Sequence, residues 1–373
     1  MKVVFAFDSF KGSLPAAEAC RIAAEALTEL RPDVEVVLLP LADGGEGTAA
    51  ALMAARPGEW ISVPASGPLA SMCVDAGFAW FPFDKTAAVE MASASGLTLL
   101  RHDQLNPMVT STQGTGQLLR AAADYGAQRI LLAVGGSATV DGGMGAAHAL
   151  GWRFLDAAGA ALPPCGGNLE RIARLVRPQP DPGLPPIDLL ADVSNPLLGE
   201  QGAARVFGPQ KGATPAMVAH LEAGLNNLAA LFKKDLGLAV EEVPGAGAAG
   251  GLAAGAMAFL GARIVSGIAT VLREVDFEVA VEGADWVITG EGRLDETSLR
   301  GKVVSGVLEQ ARALGVRTAV LAGRIQLSPE AWTEAGIAYA AALAAPSLPT
   351  DEAIRLAPHL MQDQVQRFVR EWL

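Results

Sequence analysis

Carboxylates, hydroxyls and single cations recur in this sequence inside glycine-rich turns, a grouping suited to holding phosphates and a hard metal ion. Asp8-Ser9-Phe10-Lys11-Gly12-Ser13 sets a carboxylate close to a cation. Lys11 can hold a phosphate or a carboxylate there, while Asp8 can serve a metal or act as a base. Asp43-Gly44-Gly45-Glu46-Gly47-Thr48 carries two carboxylates among glycines. Asp43 and Glu46 offer the oxygen donors that a hard cation takes. Gly135-Gly136-Ser137-Ala138-Thr139, followed by Asp141-Gly142-Gly143, is a candidate phosphate cradle. It lacks the Gly-Lys-Ser/Thr ending of a Walker A loop. Asp192-Val193-Ser194-Asn195-Pro196 and Phe207-Gly208-Pro209-Gln210-Lys211-Gly212 are weaker signals, although Lys211 beside glycines can meet a phosphate. Gly290-Glu291-Gly292-Arg293-Leu294-Asp295 brings an arginine able to grip an anion in bidentate fashion. Each motif also has an ordinary reading. Ser9 or Ser13 can cap a helix with Lys11 in water, Asp43 can cap a tight turn, and Arg293 can pair with Asp295 on the surface.

The elements that must position these residues are short apolar runs at 3–7, 36–39, 130–134, 286–289 and 318–322, each ending in such a loop. In open α/β sheets, ligands bind outside the carboxyl ends of the strands. Glycines there let backbone N–H groups approach an anion, and the next helix N-terminus favours negative charge. Residues 1–56 read β-α-β-α, with a first helix opening near Ser13 and Pro15 and burying Ile22, Leu27 and Leu30. Residues 61–82 alternate around the turn signal Gly67-Pro68 and predict antiparallel strands, with another strand at 86–91. Helical patterns follow at 115–125, 143–150 and 214–234. The proline-rich stretch 177–186 reads as a surface loop before a strand at 187–191. From Asp285 the β-α-β-α pattern returns. The fold class is therefore α/β: a Rossmann-like parallel-sheet domain formed by both chain ends, residues 1–65 and 284–373, with a second α/β domain, residues 66–283, inserted. A cleft between two such lobes is the expected ligand site.

Composition narrows the function. The chain has 373 residues and a net charge of −12, which argues against nucleic acid or an anionic membrane as main partner. The three cysteines, Cys20, Cys73 and Cys165, match no metal spacing and suit reduced thiols. The four histidines are scattered, so neither a zinc site nor a histidine base is expected. Residues 243–262 carry no charge, but Pro244 and the glycines there favour a buried turn and a small-residue helix over a membrane span. The N-terminal apolar run is short and interrupted by Asp8, unlike a signal peptide, and a cytoplasmic location is expected.

Taken in order, these motifs resemble the bacterial glycerate 2-kinase family, glycerate kinase type 1. Asn106-Pro107 with Gly114-Thr115-Gly116, and Pro244-Gly245-Ala246-Gly247-Ala248-Ala249-Gly250-Gly251, extend the resemblance along the whole chain. Phe7, Val140 and Val304 depart from the pattern, where proline, asparagine and proline are expected. The resemblance implies ATP, Mg²⁺ and D-glycerate, with transfer to the 2-hydroxyl to give 2-phosphoglycerate. It casts Asp192 as base, and Lys11 and Arg293 as holders of the glycerate carboxylate or of the transferring phosphoryl. Asp8, Ser9, Asn195 and Lys211 are substrate-binding candidates. Gly44, Gly45, Gly135, Gly136, Ser137, Thr139, Gly247, Gly250, Gly290 and Glu291 are nucleotide-binding candidates. Asp43, Glu46 and Asp295 are Mg²⁺ candidates. Two alternatives stand beside it: a non-catalytic two-lobed binder of small organic anions, and a kinase acting on the 3-hydroxyl or on a related hydroxy acid. A homodimer is compatible with the chain and not specified by it.

Overall fold

The computed structural model describes all residues, Met1–Leu373. The chain divides into two compact units. The first comprises Met1–Asp43, Ala50–Pro57 and Ser266–Leu373. The second comprises Gly44–Ala49 and Gly58–Val265.

The first unit is a five-stranded sheet in the order Tyr339–Ala342, Arg317–Ala322, Trp286–Gly290, Lys2–Phe7, Glu35–Leu38. Every pairing is parallel. Parallel strands are buried on both faces, which explains their nearly unbroken apolar sequences. The side chains alternate between two layers. Val3, Phe5, Phe7, Trp286 and Ile288 share one core with Leu27, Met361, Val365 and Phe368 from the first and last helices, Ala16–Leu30 and Thr350–Trp372. Val320 and Ala322 face the other way, against Val304 and Leu308 of the helix Val303–Ala313. The first helix departs from expectation in its buried face. Ala19, Cys20, Ala23, Ala26 and Leu27 are buried, Ile22 is half-buried and Leu30 is exposed. The inward stripe falls on small residues, so the helix lies close to the strands and its last turn projects past them.

Numbered within this sheet, the order is 2-1-3-4-5, a doubly wound arrangement. The chain proceeds outward in opposite directions from strands Lys2–Phe7 and Trp286–Gly290. The connections diverge above their carboxyl ends, and that divergence opens a crevice there.

The second unit has a six-stranded mixed sheet in the order Arg263–Val265, Ile187–Leu190, Arg129–Ala133, Thr86–Glu90, Cys73–Phe81, Glu59–Ser66. The first four strands are parallel, and the last two add antiparallel pairings. Asp188, 3% exposed, ties three strands together by accepting from Arg129 Nε at 2.9 Å and Arg263 Nη2 at 2.6 Å. The uncharged stretch folds as turns and the helix Ala248–Leu260 within the core of this unit. No helix of the chain is long and apolar enough to cross a membrane.

The units divide the sequence at different places from those read off the motifs. Residues 58–65 lie in the second unit because Glu59–Ser66 pairs along its length with Cys73–Phe81. Residues 266–283 lie in the first, where Ile268 packs against Gly306. The segment Gly44–Ala49 joins the second unit through Val134 N–H donating to Gly44 O and Ala49 N–H donating to Glu90.

Candidate active site

At the crevice of the first unit, the strand Lys2–Phe7 ends in Asp8 and the adjacent strand Trp286–Gly290 ends in Glu291. Register Phe7↔Gly290 brings the two carboxylates to the same level. Asp8 N–H donates to Gly290 O at 2.9 Å, fixing that level. Asp8 is 5% exposed, and its carboxyl is pushed up to about 7. Burial is the main cause, and the neighbouring Asp43 and Glu291 carboxylates add to it, while the Ser9 N–H and Lys11 oppose it. Glu291 is also buried and raised, again chiefly by burial. Its Oε1 has no hydrogen-bond partner, and its Oε2 lies 3.8 Å from Lys302 Nζ.

Cations surround these acids. After Asp8 the chain makes a tight turn in which Phe10 N–H donates to Leu14 O and Leu14 N–H donates to Phe10 O. Gly12 takes φ +79°, which only glycine adopts readily. Phe10 is buried against Phe7, with ring centroids 5.9 Å apart, and so anchors the turn that presents Lys11. Beyond Glu291, Arg293 pairs in register with Arg324 on a short parallel ladder. Like charges directly opposite are destabilising unless an anion lies between them. Arg324 is oriented by donating to Leu348 O at 2.6 Å. Lys11, Arg293, Lys302 and Arg324, together with Asp8 and Glu291, line a cleft of about 440 Å³. Its apolar lining comes from Leu343 and Ala344 and from Ala353, Ile354, Ala357 and Leu360 of the C-terminal helix.

In the second unit, the loop after strand Arg129–Ala133 is held from several sides. Ala138 N–H donates to Ser95 O, and Leu97 N–H donates to Gly136 O. Lys211, 2% exposed, donates from Nζ to Ser137 Oγ at 2.6 Å and to Thr139 O at 2.7 Å. Burial pushes its ammonium down to about 7, and Asp141 partly restores it. Asp141 is itself fully buried and accepts from Thr112 N and Oγ1, Gly143 N and Gly145 N. Thr139 Oγ1 is buried without a partner.

Of the residues singled out from sequence, Asp8, Ser9, Lys11, Glu291, Arg293 and Asp295 line the one cleft. Several others have structural duties that correct their expected roles. Asp295 caps the turn Glu296–Leu299, accepting from Thr297 N at 2.8 Å and Thr297 Oγ1 at 2.6 Å. Those bonds engage Oδ1 and hold its carboxyl below the usual range. Gly290 is buried inside its strand, where a Cβ would collide with Leu321 O. Sheet packing, not a phosphate, demands that glycine. Gly135 is likewise set by close approach to Gly45, Gly247 by Pro196 O and Gly250 by Thr139 O. Gly136, at φ +75° and exposed, is the member of this group open to an anion. Gly44 is buried and accepts the bond from Val134 already described. Lys211 turns inward onto its own loop. Asn195 braces its loop by donating to Gln201 O. Asp192 lies half-buried past strand Ile187–Leu190, and Glu46 is exposed. Ser137 and Thr139 form the loop that Lys211 clasps. No three His, Cys, Asp or Glu side chains are grouped closely enough to hold a metal by themselves.

Lys302, Arg324 and the apolar residues also line this cleft and were not singled out from the sequence. The Gly301-Lys302-Val303 helix start and the Gly323-Arg324 strand end were the available signals. Nothing local in the C-terminal helix marks it as part of a cleft.

A sequence profile of the glycerate kinase family matches residues 3–373. A glycerate kinase of Halalkalibacterium halodurans is 41% identical over 99% of this chain and 98% of its own. The glycerate 2-kinase of Escherichia coli is 44% identical over 84% of this chain and 82% of its own. Among solved structures, a glycerate kinase 2 from Salmonella typhimurium LT2 superposes with a TM-score of 0.84 at 36% identity, covering 99% of this chain and 97% of that one.

Proposed function

The chain belongs to the glycerate kinase family, and from that premise we propose that it transfers the γ-phosphoryl of ATP to the 2-hydroxyl of D-glycerate with the help of Mg²⁺. It is an enzyme, a kinase that phosphorylates glycerate, and its family implies the use of ATP. The observation that carries the site reading is the meeting of Asp8 and Glu291 at the switch point of the first sheet, ringed by four cations.

Phosphoryl transfer asks a protein mainly for positioning and for charge stabilisation around the migrating group. Lys11, Arg293, Lys302 and Arg324 supply positive charge to phosphate oxygens or to the glycerate carboxylate. Burial chiefly, with the nearby Asp43 carboxylate adding to it, raises the pKa of both Asp8 and Glu291, and Glu291 Oε1 is buried without a partner. Both facts fit a divalent cation. Mg²⁺ usually takes one or two carboxylates and completes its shell with water and substrate phosphates, so a closed cage of three acids is not required. Asp8 and Glu291 would hold it, in place of the set Asp43, Glu46 and Asp295 read from the sequence. When bound, the cation neutralises charge on the phosphates. Asp192 remains the proposed acceptor of the hydroxyl proton.

The 2-hydroxyl is adjacent to the carboxylate of glycerate. A cation that holds that carboxylate therefore also lies near the incoming phosphoryl and reduces their repulsion. An assay of ADP formation with Mg²⁺, with and without D-glycerate, tests the activity, and enolase coupling tests the regiochemistry. Enolase consumes 2-phosphoglycerate directly. A requirement for added mutase would move the transfer to the 3-hydroxyl, and glycerate binding without any turnover would make the protein a binder.

A further inference from the structure

The charged rim of the first unit's cleft is accounted for above; its apolar wall is not. That wall comes from Leu343 and Ala344, at the end of strand Tyr339–Ala342, and from Ala353, Ile354, Ala357 and Leu360 of the helix Thr350–Trp372. Ala353, Ala357 and Leu360 are spaced to share one helix face. Two of the three are alanine, which leaves a shallow surface rather than a filled one. Ile354 is 38% exposed, and Ala353 and Leu360 are half-buried.

Glycerate cannot explain this surface. It is a three-carbon acid whose substituents are all polar, and it has no face to lay against a hydrocarbon wall. A cavity of about 440 Å³ also falls within the roughly 300–1,000 Å³ range typical of sites for much larger small molecules. A ligand that uses the whole lining must divide into anionic groups and an apolar surface. Of the two substrates of this reaction, only the nucleotide has that division. Resting on the kinase reading, we propose that the wall of Ala353, Ile354, Ala357, Leu360, Leu343 and Ala344 seats the purine ring of the nucleotide, with its phosphates directed to Lys11, Arg293 and Lys302. Gln326 and Thr350 also line the cleft and carry groups able to hydrogen-bond a base. The nucleotide then belongs to the first unit, and the loop Gly135–Thr139 of the second is released from the phosphate-cradle role read from its sequence.

The test separates the base from the phosphates, using the full chain and measuring binding without turnover. ADP and inorganic tripolyphosphate are titrated calorimetrically into wild type, Ala353→Phe and Ile354→Ser. Ala353→Phe places a ring where the purine would lie, and Ile354→Ser removes an exposed contact whose loss the fold tolerates. The expected result is that Ala353→Phe weakens ADP about tenfold or more, the equivalent of about 1.4 kcal/mol. Ile354→Ser should weaken it by a smaller factor, and tripolyphosphate should bind all three proteins alike. Unchanged ADP affinity in both folded variants overturns the proposal. So does an equal loss of ADP and tripolyphosphate, because the wall would then act only through the charged rim. Steady-state kinetics distinguish this from the activity itself. If glycerate is phosphorylated but Ala353→Phe raises KM for glycerate rather than for ATP, the purine assignment fails and the kinase stands. If ADP binding behaves as expected but glycerate is never phosphorylated, the purine site stands and the glycerate reading fails.

Discussion

Lys11 is the proposed site residue whose charge the fold needs least. It is exposed on a turn that Phe10 anchors, so the fold does not depend on its charge. Lys11→Met should lower kcat/KM by roughly 10²–10³-fold, the range for a lost electrostatic stabiliser, with an unchanged melting temperature. An unchanged rate in a folded variant would return it to the surface. Lys211 is the opposite case. Its ammonium is buried and already bonded to Ser137 and Thr139, so its substitution acts on the loop and on stability. The unfolded chain keeps this proton up to about 10.5, whereas the folded protein releases it near 7. Between those values the unfolded state binds more protons, so this group makes stability rise with pH, by at most about 1.4 kcal/mol per pH unit. Lys211→Met should flatten the rise in denaturant midpoint between pH 7.5 and 9 relative to wild type. An identical pH profile in the two proteins would show that the lysine is charged throughout.

At the scale of elements, Gly290 separates two explanations of a glycine beside a site. Within its strand a methyl group would collide with Leu321 O on the neighbouring strand. Gly290→Ala should therefore cost about 3 kcal/mol or more, through backbone displacement in a packed sheet. A stable variant that had merely lost nucleotide binding would restore the phosphate reading. Asp188 makes a complementary point in the second sheet. It holds Arg129 and Arg263 from the strands on either side, and those bonds outweigh burial and keep its carboxyl below the ordinary range. Asp188→Ala should cost about 2 kcal/mol, the scale of hydrogen bonds to charged groups, and leave kcat/KM nearly unchanged. Chemical denaturation and steady-state kinetics on one preparation check both halves of that statement.

At the scale of the whole molecule, the two units differ in how the chain builds them. The second is nearly continuous, with its sheet and main core inside Gly58–Val265. The first needs both ends of the chain, because Lys2–Phe7 sits between Glu35–Leu38 and Trp286–Gly290. A fragment of residues 58–265 should melt cooperatively. A chain ending at Pro349 should lose the first sheet's protection in hydrogen exchange, since it removes Met361, Val365 and Phe368 from the core. Slow exchange persisting in Val3–Phe7 of that truncated chain would contradict this account.

The sequence by itself determined the chemistry on offer and the family. Apolar runs ending in glycine, acid and cation mark the carboxyl ends of parallel strands, and those signals are local. They singled out Asp8, Lys11, Glu291 and Arg293, which line one cleft, and the return of strand–helix alternation near Asp285 implied that the chain's ends fold together. Tertiary structure decided which loops share a cleft, because register between strands such as Phe7↔Gly290 links residues far apart in sequence. It also decided what each glycine is for. The neighbour that crowds Gly290, Gly135 or Gly250 belongs to another segment, and no local pattern announces it. For the same reason Lys211 reads as a ligand cation in sequence and folds as a buried clasp, while nothing local in the last helix marks Ala353, Ile354, Ala357 and Leu360 as lining a cleft.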